Sequence, residues 1–250
     1  MKSKTSIYHL FRPRSEAHAV ETSRLGHSDG ADGICFELAS LPLAERTVEV
    51  FRRIVAATPL PKIFCTYRND LFLGADDDAR MACLLRAAEA GADFIDVMGD
   101  LYDPSPVQLT HAPAAVERQR KVIERIHVLG AKAVVSSHVT DRTLSADEIV
   151  AHLQAQADRG ADVCKLVTCL PSASDYVEGA KALARLQDSF PRPWVLLGNG
   201  AYGRTLRFAG PSFGCWVEFA VHDYDPLETY DQPTIRTFRE ILDALSWSRP

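Results

Sequence analysis

Residues 158–169 read DRGADVCKLVTC, and two other stretches repeat the plan: EAGADFIDVM at 89–98 and VLGAKAVVSSH at 128–138. In each, a helical pattern stops at a glycine: Gly91, Gly130 or Gly160. Alanine follows, then Asp or Lys, then an apolar run. Glycine just past a helix is the expected stop, because it accepts the left-handed backbone that ends the turn. The runs that follow are nearly continuous in apolar residues and do not alternate. Strands covered on both faces, as in a parallel sheet, have this composition.

Working outward, strand-like runs fall at 5–11, 32–38, 61–68, 92–98, 131–138, 161–169, 193–199 and 215–221. Helical patterns fall at 43–57, 76–90, 113–129, 145–159, 173–189 and 232–246. The stretch SADE at 145–148 is a capping box, serine followed three residues later by glutamate. Eight strands alternating with helices predict an α/β fold, a (β/α)8 TIM barrel, with 1–250 as a single domain. An open doubly wound sheet is the alternative. The segment 12–31 carries no clear assignment.

Composition narrows the function classes. The chain has 250 residues, 46% hydrophobic and 24% charged, with a formal net charge of −5. That balance gives no reason to expect nucleic acid or an anionic membrane as partner. No apolar run reaches the ~18–20 residues of a membrane span. The opening MKSKTSIYHLFRPR lacks the apolar core and cleavage site of a signal peptide. Cysteines stand at 35, 65, 83, 164, 169 and 215, without a Cys-x-x-Cys pair. They read as reduced thiols in a cytoplasmic protein, with no zinc site.

Lys165 is the anomaly in the apolar run. A lysine there either snorkels its charge to water or is desolvated, which favours the neutral, nucleophilic amine. Barrel enzymes carry their chemistry at the carboxyl ends of the strands. The polar residues there are Glu37, Thr66 with Arg68, Asp96, Ser136 with His138, Lys165 with Thr168, Asn199, and Glu218 with His222. His138 and Lys165 end neighbouring strands, and adjacent strands lie ~5 Å apart. A carbonyl nucleophile beside a general acid–base points to imine chemistry.

These segments resemble the type I 3-dehydroquinate dehydratases over roughly residues 30–238. VVSSHVTDRTLSADE resembles the family's catalytic-histidine segment and implies that role for His138. GADVCKLVTCLPSASD resembles the Schiff-base segment and implies that role for Lys165, 27 residues on. LRFAGPSFGCWVEFA resembles the stretch whose arginine grips the substrate carboxylate, here Arg207. CTYR resembles the threonine–x–arginine motif and gives Arg68; FIDVM gives Asp96; CFEL gives Glu37; ETYDQ retains Gln232 of the closing motif.

Some positions depart from the pattern. Ala39 and Leu41 replace the arginine and aspartate that follow the motif glutamate, Phe72 replaces a glutamate that assists the histidine, and Met98 replaces an acid. Either other polar side chains such as Arg204, Arg142 or His222 supply the missing contacts, or the substrate carries fewer hydroxyls.

The resemblance implies dehydration of 3-dehydroquinate or a related cyclic hydroxy-keto acid, with Lys165 forming the imine and His138 moving protons. It implies no metal and no organic cofactor, a small-molecule keto-acid partner and a homodimer. Three alternatives stand beside it. One is the same chemistry on another keto acid. Another is a class I aldolase using the glycine-rich GNGAYGR (198–204) for phosphate. The last is a non-catalytic metabolite-binding barrel.

Overall fold

The computed structural model describes residues 5–224 and 231–245. Eight parallel strands form it: β1 (Ser6–Phe11), β2 (Gly33–Glu37), β3 (Lys62–Cys65), β4 (Phe94–Met98), β5 (Lys132–Val139), β6 (Val163–Cys169), β7 (Trp194–Asn199) and β8 (Val217–Ala220). They pair in the order β7-β6-β5-β4-β3-β2-β1-β8. The Trp216 amide donates to the Trp194 carbonyl at 2.8 Å and draws β8 toward β7. The result is a nearly closed (β/α)8 barrel, as the alternation predicts.

The helices are α1 (Glu16–Ser28), α2 (Val48–Val55), α3 (Asp77–Glu89), α4 (Pro113–Val128), α5 (Ala146–Ala157), α6 (Ala173–Ser189), α7 (Gly203–Ala209) and α8 (Ile235–Leu245). The expected capping box forms at Ser145 with Glu148, and a second forms at Ser172 with Asp175. No described helix is long and apolar enough to cross a membrane.

The recurring Gly-Ala-Asp has a specific job. Gly91 and Gly160 take φ of 100° and 98°, which only glycine adopts without cost. The aspartate two residues on reaches the preceding strand. Asp93 accepts the Lys62 amide at 2.8 Å and Asp162 accepts the Ala133 amide at 2.8 Å. The same plan holds at Gly30, where Asp32 accepts the Ile7 amide at 2.9 Å. That unit ends α1, a helix absent from the sequence expectation. Its buried face is made of Ala19, Ser23 and Gly26, so it shows no large apolar stripe. The predicted helix 43–57 is shorter than expected. Two 3-10 turns precede α2, and the buried Arg46 guanidinium holds them through the Leu38 and Leu41 carbonyls, both at 2.8 Å.

Strand side chains alternate, and this two-residue period decides what faces the barrel axis. Cys35 and Glu37, Cys65 and Tyr67, His138, Lys165 and Val167, and Phe219 all line a cavity at the carboxyl end of the barrel. Their neighbours Phe36 and Phe64 point outward, packing 4.7 Å apart, and Phe64 meets Phe51 of α2.

Candidate active site

The cavity has a volume of about 430 Å³ and opens at the carboxyl ends of the strands. Lys165 projects into it from β6 and is only 6% exposed. Its amine does not snorkel to bulk water. Nζ donates to the Tyr67 hydroxyl at 3.0 Å and lies 3.7 Å from Asp96 Oδ2. The Phe219 ring stands 5.2 Å away.

Asp96, from β4, is fully enclosed. It accepts from Ser136 Oγ at 2.6 Å and from the Tyr67 hydroxyl at 3.2 Å. Burial raises its pKa above the usual carboxylate range; Lys165, Ser136 and Tyr67 oppose that shift. Burial also raises the Tyr67 pKa, with Asp96 adding to it, so the phenol keeps its proton and serves as a donor.

His138 ends β5 with its ring edge-to-face against Tyr67, centroids 4.8 Å apart. Burial lowers its pKa well below the ordinary value, and the positive Lys165 and Arg207 add to the effect. The imidazole is therefore neutral at pH 7 and carries a lone pair, the form a general base requires. Tyr67 thus touches both the candidate nucleophile and the candidate base.

Arg207, on α7, is 4% exposed and lines the same cavity. Its Nε donates to the Gly198 carbonyl at 2.9 Å, while Nη1 is buried without a hydrogen-bond partner among the described residues. A buried guanidinium with a donor unspent is suited to an anionic ligand.

The remaining expected residues divide. Glu37 lines the cavity and forms an ion pair with Arg12 at 3.0 Å. Gln232 and Asn199 also line it. Arg68 reaches the rim, but Asp77 and Asp100 hold its guanidinium, with contacts of 2.9 Å to each. It shapes the wall and has little left for a ligand.

Thr66, Thr168 and Glu218 have the wrong parity and face away. Thr66 donates to Asp70 at 2.6 Å, and Glu218 lies against Gly210 and Cys215. Its burial pushes the Glu218 pKa up to about 8. His222 lies past β8, paired with Asp29. Glu228, Thr229 and Tyr230 of the closing ETYDQ motif lie outside the described residues.

The departures also resolve in space. Ala39 is buried within the 3-10 turn that follows β2, and Phe72 is 46% exposed, away from the cavity, under the Arg46 guanidinium. Met98 lines the cavity wall. None of Arg204, Arg142 and His222 lines it; the guanidinium that reaches Glu37 comes from Arg12, after β1. Tyr67, Gln108 and Arg12 also line the site, and none had a sequence signal of its own. The glycines of GNGAYGR have a packing reason. A Cβ on Gly203 would stand 2.7 Å from the Gly198 carbonyl carbon, so two backbones touch where β7 meets α7.

The family model described as type I 3-dehydroquinase matches residues 32–249. The chain belongs to the type I 3-dehydroquinase family. A 3-dehydroquinate dehydratase of Aromatoleum aromaticum is 29% identical over 209 residues, covering 82% of this chain and 75% of that protein. One of Listeria monocytogenes is 25% identical over 232 residues, covering 93% and 86%. The crystal structure of the Geobacillus kaustophilus 3-dehydroquinate dehydratase shares the fold, with a TM-score of 0.84 at 18% identity over 99% of this chain and 93% of that one.

Proposed function

We propose that this chain dehydrates 3-dehydroquinate through an imine on Lys165. The observation that carries the reading is one cavity holding a buried amine, a neutral imidazole and a guanidinium with one donor unspent. Lys165 Nζ adds to the substrate ketone, and loss of water leaves a protonated imine. That cation withdraws electrons from the adjacent carbon and acidifies its C–H bond. His138 takes the proton. The electron pair expels the hydroxyl on the next carbon, which leaves as water with the proton His138 returns. Water then hydrolyses the product imine and frees Lys165. Arg207 fixes the substrate carboxylate throughout. Asp96 stabilises positive charge at the Lys165 nitrogen.

Membership in the family supports the hydro-lyase reaction. Glu37, Gln232 and the Arg12 guanidinium are placed to contact hydroxyl groups. A second reading keeps the chemistry and changes the keto acid. Met98 favours it, because an apolar thioether replaces an acid on the cavity wall. The expectation of a cytoplasmic protein rests on reading its cysteines as reduced thiols, and that of a homodimer is tested by sedimentation.

The test is a steady-state assay with 3-dehydroquinate and borohydride trapping. A kcat/KM in the usual range of ~10⁴–10⁸ M⁻¹s⁻¹ is the expected result, with substrate mass fixed on the peptide containing Lys165. Trapping on Lys165 without useful turnover would instead establish the second reading. Label on another lysine would sink both. Lys165→Ala should fold normally and lose activity by several orders of magnitude.

A further inference from the structure

Gln108 lies in the segment between β4 and α4, with a backbone that needs explaining. Its φ is +49°, in the left-handed region where a residue with a Cβ is disfavoured. Such positions are strained and persist where their surroundings hold them.

Here the surroundings are the barrel itself. The Ser137 hydroxyl donates to the Gln108 carbonyl at 2.6 Å. Ser137 in turn accepts from Gln156 Nε2 at 3.0 Å, and Gln156 also donates to the Lys165 carbonyl at 3.0 Å. Gly99 makes the approach possible, since a Cβ there would stand 2.6 Å from the Gln108 carbonyl oxygen. The strained residue is thus fastened to the two strands that carry His138 and Lys165.

Its side chain is aimed at His138. Gln108 Oε1 accepts the His138 backbone amide at 2.8 Å and lies 3.3 Å from His138 Nδ1. The backbone contact settles which amide atom this is. A main-chain N–H can only donate, so its partner must be the oxygen. An oxygen shared with Nδ1 requires that Nδ1 carry the proton. Nε2 is then the lone-pair nitrogen of the neutral ring, and the one nitrogen able to take a proton.

We propose that Gln108 is a positioning residue that locks His138 in the Nδ1–H tautomer, so that Nε2 alone exchanges protons with substrate. This rests on His138 being the acid–base group. Among the described residues, the family glutamate that assists the histidine has no counterpart bonded to the ring, because Phe72 at that position is 46% exposed outside the cavity. A neutral amide therefore does the orienting, and it places no negative charge beside the imidazole. Among the described residues, the other titratable groups acting on the ring are Tyr67, Lys165 and Arg207.

The test combines Gln108→Asn and Gln108→Glu. Asparagine accepts the left-handed backbone as well as any residue with a Cβ, but its amide is one carbon short of His138. Glutamate keeps an oxygen at the same reach and adds charge. Nitrogen-15 spectra of the resting enzyme report the tautomer without substrate. Wild type and Gln108→Glu should show protonated Nδ1, while Gln108→Asn should show mixed tautomers.

In Gln108→Asn, kcat should fall roughly 10–100-fold, less than the ~10²–10⁴-fold contributed by a general acid–base group, with KM changed little. Gln108→Glu should recover most of the rate and move the acid limb of the kcat profile to higher pH. The proposal is overturned if Gln108→Asn keeps protonated Nδ1, or if its kcat stays within about twofold of wild type while His138→Ala is slowed ~10²–10⁴-fold. A His138→Ala that turns over at the wild-type rate would instead refute the acid–base assignment itself.

Discussion

Tyr67→Phe deletes one oxygen and leaves a ring. The ring keeps its edge-to-face contact with His138, so the change isolates the hydroxyl. That hydroxyl accepts from Lys165 Nζ at 3.0 Å and donates to Asp96 at 3.2 Å. Hydrogen bonds to charged groups are each worth ~1.5–3 kcal/mol. The loss is not the sum of two. Asp96 keeps the Ser136 bond at 2.6 Å, and Lys165 already stands 3.7 Å from Asp96 and can close directly onto it. Relaxation of that kind leaves a stability cost of about 1–3 kcal/mol, which in a chain of this size lowers Tm by a few degrees.

The rate effect is of similar size in free energy. Once drawn onto Asp96, the amine must leave a buried ion pair to reach the ketone. One charged hydrogen bond lost from the imine-forming transition state, ~1.5–3 kcal/mol, slows that step by roughly 10–150-fold. Single-turnover mixing with borohydride quench measures imine formation directly. The expected result is slower trapping on Lys165, with the later proton transfers near their wild-type rate. Trapping within about twofold of wild type would refute the reasoning, since the hydroxyl would then do nothing for Lys165.

Three further outcomes follow from the geometry. His138→Ala should still form the imine but slow the proton transfers by ~10²–10⁴-fold, measured as trapped intermediate that accumulates without product. Arg207→Lys keeps the charge but loses the planar fork and the Nε bond to the Gly198 carbonyl. With a charged hydrogen bond worth ~1.5–3 kcal/mol, kcat/KM should fall by roughly 10–150-fold, mostly through KM.

The third concerns pH. Burial lowers the His152 pKa to about 4, from an ordinary 6.5. The unfolded chain therefore binds a proton below pH 6.5 that the folded chain refuses until about pH 4. Stability from this group is complete above the unfolded value and drains away as pH falls through that window. Between pH 7 and 5 wild type should lose about 2 kcal/mol more than His152→Gln, by denaturant titration at each pH. Equal losses would refute the assignment.

The barrel was legible because its signals are local. The Gly-Ala-Asp stops, the apolar strand runs and the SADE cap each fit within a dozen residues, and short-range backbone chemistry reads them directly. Lys165 stood out for the same reason, as a charge inside such a run. α1 was silent because it buries Ala19, Ser23 and Gly26, and small residues make no hydrophobic stripe. Strand-end chemistry was legible only in part. Glu37, Asp96, His138 and Lys165 share the parity that points inward, whereas Thr66, Thr168 and Glu218 differ by one residue and face the helices. Alternation decides this, but near-continuous apolar runs hide their own phase. The partners of the catalytic pair belonged to tertiary structure alone. Tyr67 meets Lys165 across 98 residues of chain, and Gln108 meets His138 across 30. No spacing rule links such positions; closure of the sheet brings them together. The sequence by itself determined which side chains could do the chemistry, and barrel closure decided which neighbours hold them, because hydrogen bonds act over about 3 Å of space whatever the distance along the chain.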